Sequence, residues 1–160
     1  MINKVRIGSI LNESLVNGEG VRTVVFFSGC NKDCKGCHNL ELQNFKAGYE
    51  IAIDELVEKI LKNKPMIDGV TLSGGDPLCQ YMGCLELCKR LKDHGINIWL
   101  YTGETFDKVL IKYNNIVNYI DVLVDGKYEE SLKKEDLRYR GSSNQALIYL
   151  KNGSVVKVEK

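Results

Sequence analysis

The chain has 160 residues, enough to bury a core and few enough that residues 1–160 are read as one domain. A formal net charge of +1 excludes general attraction to nucleic acid or anionic membranes, so neither is expected as a partner. Six cysteines would suit a disulfide framework in a short secreted chain, but Met1 to Gly20 carries charges and lacks a signal peptide's apolar core, and no segment is long and apolar enough to span a bilayer; a cytoplasmic protein with reduced thiols, available as metal ligands, is expected.

Val24-Val25-Phe26-Phe27 is apolar on both faces, as in a buried parallel strand. Cys30-x3-Cys34-x2-Cys37 follows directly. No fourth cysteine stands nearby. A structural zinc site closes with four ligands and a cubane cluster normally takes four thiolates, so three on one loop suggest a cluster with one iron open to a substrate. The competing zinc knuckle would take His38 as fourth ligand. Adjacent Cys37 and His38 chelate one tetrahedral ion awkwardly, and no second Cys/His pair follows at finger spacing.

Ile53, Leu56, Val57, Ile60 and Leu61 share one helical face, with Asp54 and Glu55 in the first turn, Lys62 and Lys64 near the end, and Pro65 as the stop. Val70 to Ser73 reads as the next strand and Gly74-Gly75-Asp76-Pro77 as its exit loop. Leu78, Cys84, Leu85, Cys88 and Leu91 mark a second helix closed by Gly95. Ile96 to Tyr101 is a third strand leading into Thr102-Gly103-Glu104. Phe106, Val109, Leu110 and Tyr113 outline a short helix, and Ile120 to Asp125 a fourth strand. Ala146 to Leu150, Asn152-Gly153 and Val155 to Val158 read as a hairpin on a type I′ turn.

Repeated strand–helix units imply a parallel sheet with helices outside. The chain is too short for eight units, so the expected fold is α/β, a partial, open parallel (β/α) barrel with a C-terminal hairpin. Each candidate loop follows a strand, which brings all of them to one end of the sheet, where sites form. Gly74 and Gly75 let a backbone approach a ligand closely, their carbonyls accept from an ammonium group, and Asp76 adds a carboxylate. Taken alone, the pair reads as an ordinary turn. Cys79 is rotated away from Cys84 and Cys88 at helical pitch, and the three read as small packing side chains rather than a second cluster. Trp99 and Tyr101 read as strand packing, and Asp125 and Lys127 as solvated strand-end charges.

The loop Gly29-Cys30-Asn31-Lys32-Asp33-Cys34-Lys35-Gly36-Cys37-His38-Asn39, with Ser73-Gly74-Gly75-Asp76-Pro77, resembles the cluster and glycine loops of the radical S-adenosylmethionine enzymes. Gly18 to Phe27, Tyr101-Thr102-Gly103, Asp121 to Gly126 and Arg138 to Gln145 narrow the resemblance to the glycyl-radical-enzyme activases, and within them to those serving anaerobic ribonucleoside-triphosphate reductase. Gly36 stands where many of the superfamily have an aromatic residue, and Asp76 where many have glutamate; both departures suit this branch. The resemblance implies a [4Fe-4S] cluster on Cys30, Cys34 and Cys37. It implies S-adenosyl-L-methionine against Gly36, Cys37, His38, Gly74, Gly75 and Asp76. It also implies a low-potential electron donor such as flavodoxin or ferredoxin, and the reductase as protein substrate. The reaction it implies is reductive cleavage of S-adenosylmethionine to methionine and a 5′-deoxyadenosyl radical, which takes a hydrogen atom from a glycine of the reductase. A bulky residue at Gly75 is expected to weaken cofactor binding and leave the cluster assembled, because the cysteine loop is separate. Other readings are a formate-lyase-type activase, a small-molecule synthase, a ferredoxin-type carrier and a zinc interaction module.

Overall fold

The computed structural model describes residues 2–32 and 34–160. Eight strands form one sheet: β1 (Lys4–Ser14), β2 (Arg22–Phe27), β3 (Tyr49–Ala52), β4 (Gly69–Gly74), β5 (Ile98–Tyr101), β6 (Val122–Asp125), β7 (Ala146–Lys151) and β8 (Ser154–Glu159). Their spatial order is β3-β1-β2-β4-β5-β6-β7-β8. The central β2, β4, β5 and β6 run parallel. β1 and β3 flank one side and β7 and β8 the other, all antiparallel. With β3 and β8 at opposite ends the sheet stays open, a partial barrel as expected. Among the described residues no helix is long and apolar enough to cross a membrane.

Helices α1 (Ile53–Asn63), α2 (Tyr81–Asp93) and α3 (Phe106–Lys112) supply the crossovers. The α1 stripe is buried at Ile53, Leu56, Val57 and Ile60, and its first turn carries Asp54 and Glu55. The second helix starts later than the pattern predicts. Asp76 accepts from Leu78 N–H and begins a 3₁₀ turn over Pro77–Gln80, so Leu78 precedes α2. Leu110, expected on the packed face of α3, is exposed, and Val109 carries the burial.

Alternation along the strands splits the core. Ile98 and Leu100 of β5 join the large cluster under the helices, whereas Trp99 joins Val122, Val124 and Leu147 on the other face, with Tyr101, Tyr139 and Tyr149 packed against them. Arg22 is buried on that second face. Its guanidinium donates to Thr71 Oγ1, Glu19 O, Val70 O, Asn97 O and Asn97 Oδ1, all at 2.8–3.0 Å, and stands 5.5 Å from the Trp99 ring. Burial pulls its pKa down to about 10. This cation closes the floor of the open barrel, opposite the strand ends that carry the loops.

Candidate functional site

A cavity of about 670 Å³ lies against the carboxyl ends of the parallel strands. Phe26, Ser73, Tyr101 and Gly126, at or just past the ends of β2, β4, β5 and β6, line it in turn. Cys30, Cys34, Cys37, His38, Gly74, Gly75 and Asp76 stand on its wall. The topology thus gathers all the residues that the sequence marked except Gly36, from two separate segments.

The cysteine loop is fastened at its base. Gly29 N–H donates to Leu42 O at 2.7 Å and Cys30 N–H to Gln43 O at 3.2 Å, and Cys37 N–H closes a turn on Cys34 O at 3.1 Å. The glycine loop is fastened to it. Asn39 Nδ2 donates to Gly74 O at 3.1 Å, Asp76 N–H to Gly29 O at 2.9 Å and Gly75 N–H to Phe27 O at 3.0 Å. A Cβ at Gly75 would run into the carbonyl of Gly29 and lie 2.8 Å from Leu42 O. The two loops are one packed unit, which corrects the expectation that a bulky residue at Gly75 spares the cluster.

All three thiols are free and partly exposed. Burial raises the pKa of Cys30, opposed by the Lys32 N–H and ammonium; burial also raises Cys34, opposed by Lys127 and the Tyr128 N–H. Among the described residues no three His, Cys, Asp or Glu side chains converge closely enough to hold a single ion. The donor set still fits a cluster, which spreads its ligands over several metal atoms: three free thiols on one loop face one cavity.

Asp76, expected against the cofactor, is on the cavity wall and is also tied into the fold. It is 1% exposed, and its carboxylate accepts from Leu78 N–H, Thr102 Oγ1, Gly103 N–H and Lys32 Nζ at 2.9–3.1 Å. The structure uses it to hold the exit loops of β4 and β5 together. Gly36, expected against the cofactor, is exposed and not on the cavity wall. Its φ is +77°, and a Cβ there would lie 3.0 Å from the Glu130 carboxyl carbon. His38 is on the wall, with its ring 5.1 Å from that of Tyr128.

Several wall residues were given no role from sequence. Lys32 lies between the first two cysteines, and Tyr128, Leu137, Tyr139, Arg140, Gly141 and Gln145 wall the far side. Arg138 to Gln145 is more than a plain polar loop. Gln145 Oε1 accepts from Gly141 N–H and Ser142 N–H at 3.0 and 3.1 Å, and its Nε2 donates to Gly126 O at 3.0 Å. Tyr101 Oη donates to Tyr139 O at 2.5 Å, and burial raises the Tyr101 pKa. Asp125 accepts from Phe106 N–H and Ala146 N–H, both at 3.0 Å, so it is a structural anchor and not a solvated charge. Cys84 and Cys88 are in the core, whereas Cys79 stands apart beside Asn31 Oδ1 at 3.7 Å; the three share no site.

A model of the 4Fe-4S single cluster domain matches residues 16–148. Relatives named anaerobic ribonucleoside-triphosphate reductase-activating protein include one from Escherichia coli strain K12, 35% identical over 144 residues, covering 86% of this chain and 94% of that protein. One from Salmonella typhi is 38% identical over 145 residues with the same coverage, and one from enterobacteria phage T4 is 37% identical over 137 residues, covering 82% and 86%. QueE from Escherichia coli shares the fold at a TM-score of 0.52 and 15% identity, over 64% of this chain and 53% of QueE. Fold, cysteine loop and domain match together define the class, a protein built on a 4Fe-4S single cluster domain. Within it, the chain belongs to the family of anaerobic ribonucleoside-triphosphate reductase-activating proteins.

Proposed function

We propose that the chain cleaves S-adenosylmethionine reductively at a [4Fe-4S] cluster and uses the resulting 5′-deoxyadenosyl radical to form a glycyl radical on anaerobic ribonucleoside-triphosphate reductase. The observation that carries this reading is the meeting of three free thiols and a glycine loop on one cavity at the strand ends. Cys30, Cys34 and Cys37 hold the cluster and leave one iron open. Gly74 and Gly75 present backbone to the methionine part, and His38 lines its edge. Asp76 keeps the two loops in register. The cavity wall excludes water and holds the reacting groups in line, the larger part of what a protein adds to cofactor chemistry.

The partner's glycine segment must enter the same cavity, because hydrogen abstraction needs van der Waals reach. Leu15 and Val16 line the cavity while 71% and 75% exposed, an apolar rim for that segment. A flavodoxin or ferredoxin of low potential supplies the electron, in a cytoplasm that keeps the thiols reduced.

Anaerobic reconstitution tests the first half. The expected product is brown protein with about four iron and four sulfide per chain, as a cubane requires, which after reduction releases 5′-deoxyadenosine from S-adenosylmethionine. Colourless protein with stoichiometric zinc would overturn it. Alanine at Cys30, Cys34 or Cys37 abolishes cleavage, while alanine at Cys79, Cys84 or Cys88 leaves some.

A further inference from the structure

Lys32 sits inside the cysteine loop, and the function above gives it no task. Its stem crosses Gly103, where an added Cβ would collide with it. Its Nζ lies 3.0 Å from Asp76 Oδ2, 3.2 Å from Glu104 Oε1 and 3.2 Å from Asn31 Oδ1. The three charged side chains are only 15%, 2% and 13% exposed for Lys32, Asp76 and Glu104. A single ammonium from the cysteine loop is therefore held between carboxylates from the exit loops of β4 and β5.

Stability alone is a weak reason for such a trio, since a half-dry ion pair roughly breaks even against an apolar replacement. Its position supplies a better one. Lys32 stands two residues from both Cys30 and Cys34 and lines the same cavity wall as all three thiols. An electron added to a cluster on those thiols adds negative charge at the same place. Local charge is one of the quantities that set a cluster's potential. At low exposure it is poorly screened.

We propose that Lys32 and Glu104 tune the electron affinity of the cluster: the fixed ammonium eases its reduction, and Glu104 offsets that charge while holding it in place. The proposal rests on the cluster reading above. The step is a one-electron reduction by the low-potential donor, with no proton or bond change at Lys32. Lys32 is in this sense a positioning and tuning residue for the cysteine loop.

The test is a redox titration of the reconstituted full chain, followed by electron paramagnetic resonance of the reduced cluster, for the parent, Lys32→Met, Lys32→Arg and Glu104→Gln. Lys32→Met is expected to shift the one-electron equilibrium about tenfold toward the oxidised cluster, ~59 mV lower. Glu104→Gln shifts it the other way, and Lys32→Arg keeps the parent value. A packing role alone has no reason to give opposite signs or rescue by arginine. Shifts of the same sign in Lys32→Met and Glu104→Gln, or none, overturn the proposal and leave the cluster reading standing. Where Lys32→Met retains no cluster, Glu104→Gln decides: a rise supports the proposal, and no change or a fall overturns it. A parent protein without a reducible cluster overturns the cluster reading, and this proposal with it.

Discussion

At the scale of single residues, buried polar side chains hold the site in shape. Replacing Asp76 by alanine strands Leu78 N–H, Gly103 N–H and the Thr102 hydroxyl, and leaves the Lys32 ammonium only Glu104 and Asn31. Breaking a buried charge pair from one side costs about 3–5 kcal/mol, so urea unfolding of cluster-free Asp76→Ala is expected to show a loss of about that size. Arg22→Lys is a second case. One ammonium cannot serve Thr71, Glu19, Val70 and Asn97 as the guanidinium does. The stranded acceptors cost about 2 kcal/mol or more, again read by urea unfolding; an unchanged midpoint would remove Arg22 as the floor of the barrel. Gly75→Val is expected to lower cluster content as well as cofactor binding, because its side chain meets the Gly29 carbonyl. Iron analysis separates that from a cofactor contact alone. The cysteines were legible because their spacing is chemistry in itself, and Gly74 and Gly75 only beside them, since alone they read as a turn. The task of Asp76 was not, since its donors come from loops 26 residues ahead and 44 residues behind.

At the scale of elements, the central parallel strands and the hairpin follow from local pattern. Asn152 and Gly153 both take positive φ, +50° and +84°, as a type I′ turn requires. The strand β1 left a weaker trace. Val5 and Ile7 alternate into the core and Ile10 packs partly against it, but Leu11 is exposed and, Gly8 aside, the other positions are polar. Its place is fixed from outside its own sequence, by Gln80, which bonds Arg6 N–H and Arg6 O at 2.9 and 2.7 Å and Ser28 O at 2.9 Å. The four-residue β3 runs directly into α1 and owes its register to β1. Packing between α2 and β1 gives a test. Alanine in place of Gly83 gains up to about 1 kcal/mol in helix propensity, but its Cβ would press on buried Val5. Overpacking costs about 1–3 kcal/mol. Gly83→Ala is therefore expected to be destabilised by about 1 kcal/mol in urea; a stabilised variant would mean that Val5 has room to turn aside.

At the scale of the whole molecule, the strands decide the function. Parallel β2, β4, β5 and β6 send their exit loops to one end, and Arg22 with Trp99 fills the other. The convergence of the loops followed from alternating strands and helices; the Arg22 floor did not. Nor did the far wall, because Leu137 to Gln145 has no periodicity and takes its shape from Gln145 and from Tyr101 bonded to Tyr139. The cavity it completes has an apolar rim at Leu15 and Val16 and a volume of about 670 Å³. The central claim is that a radical made here passes to a partner's glycine. Electron paramagnetic resonance tests it most directly, on the reduced, reconstituted chain incubated anaerobically with S-adenosylmethionine and the reductase. The account predicts an oxygen-sensitive glycyl doublet on the reductase, absent when its acceptor glycine is alanine although the complex still forms. Vigorous release of 5′-deoxyadenosine with no such doublet, or a stable radical on this chain instead, would contradict it.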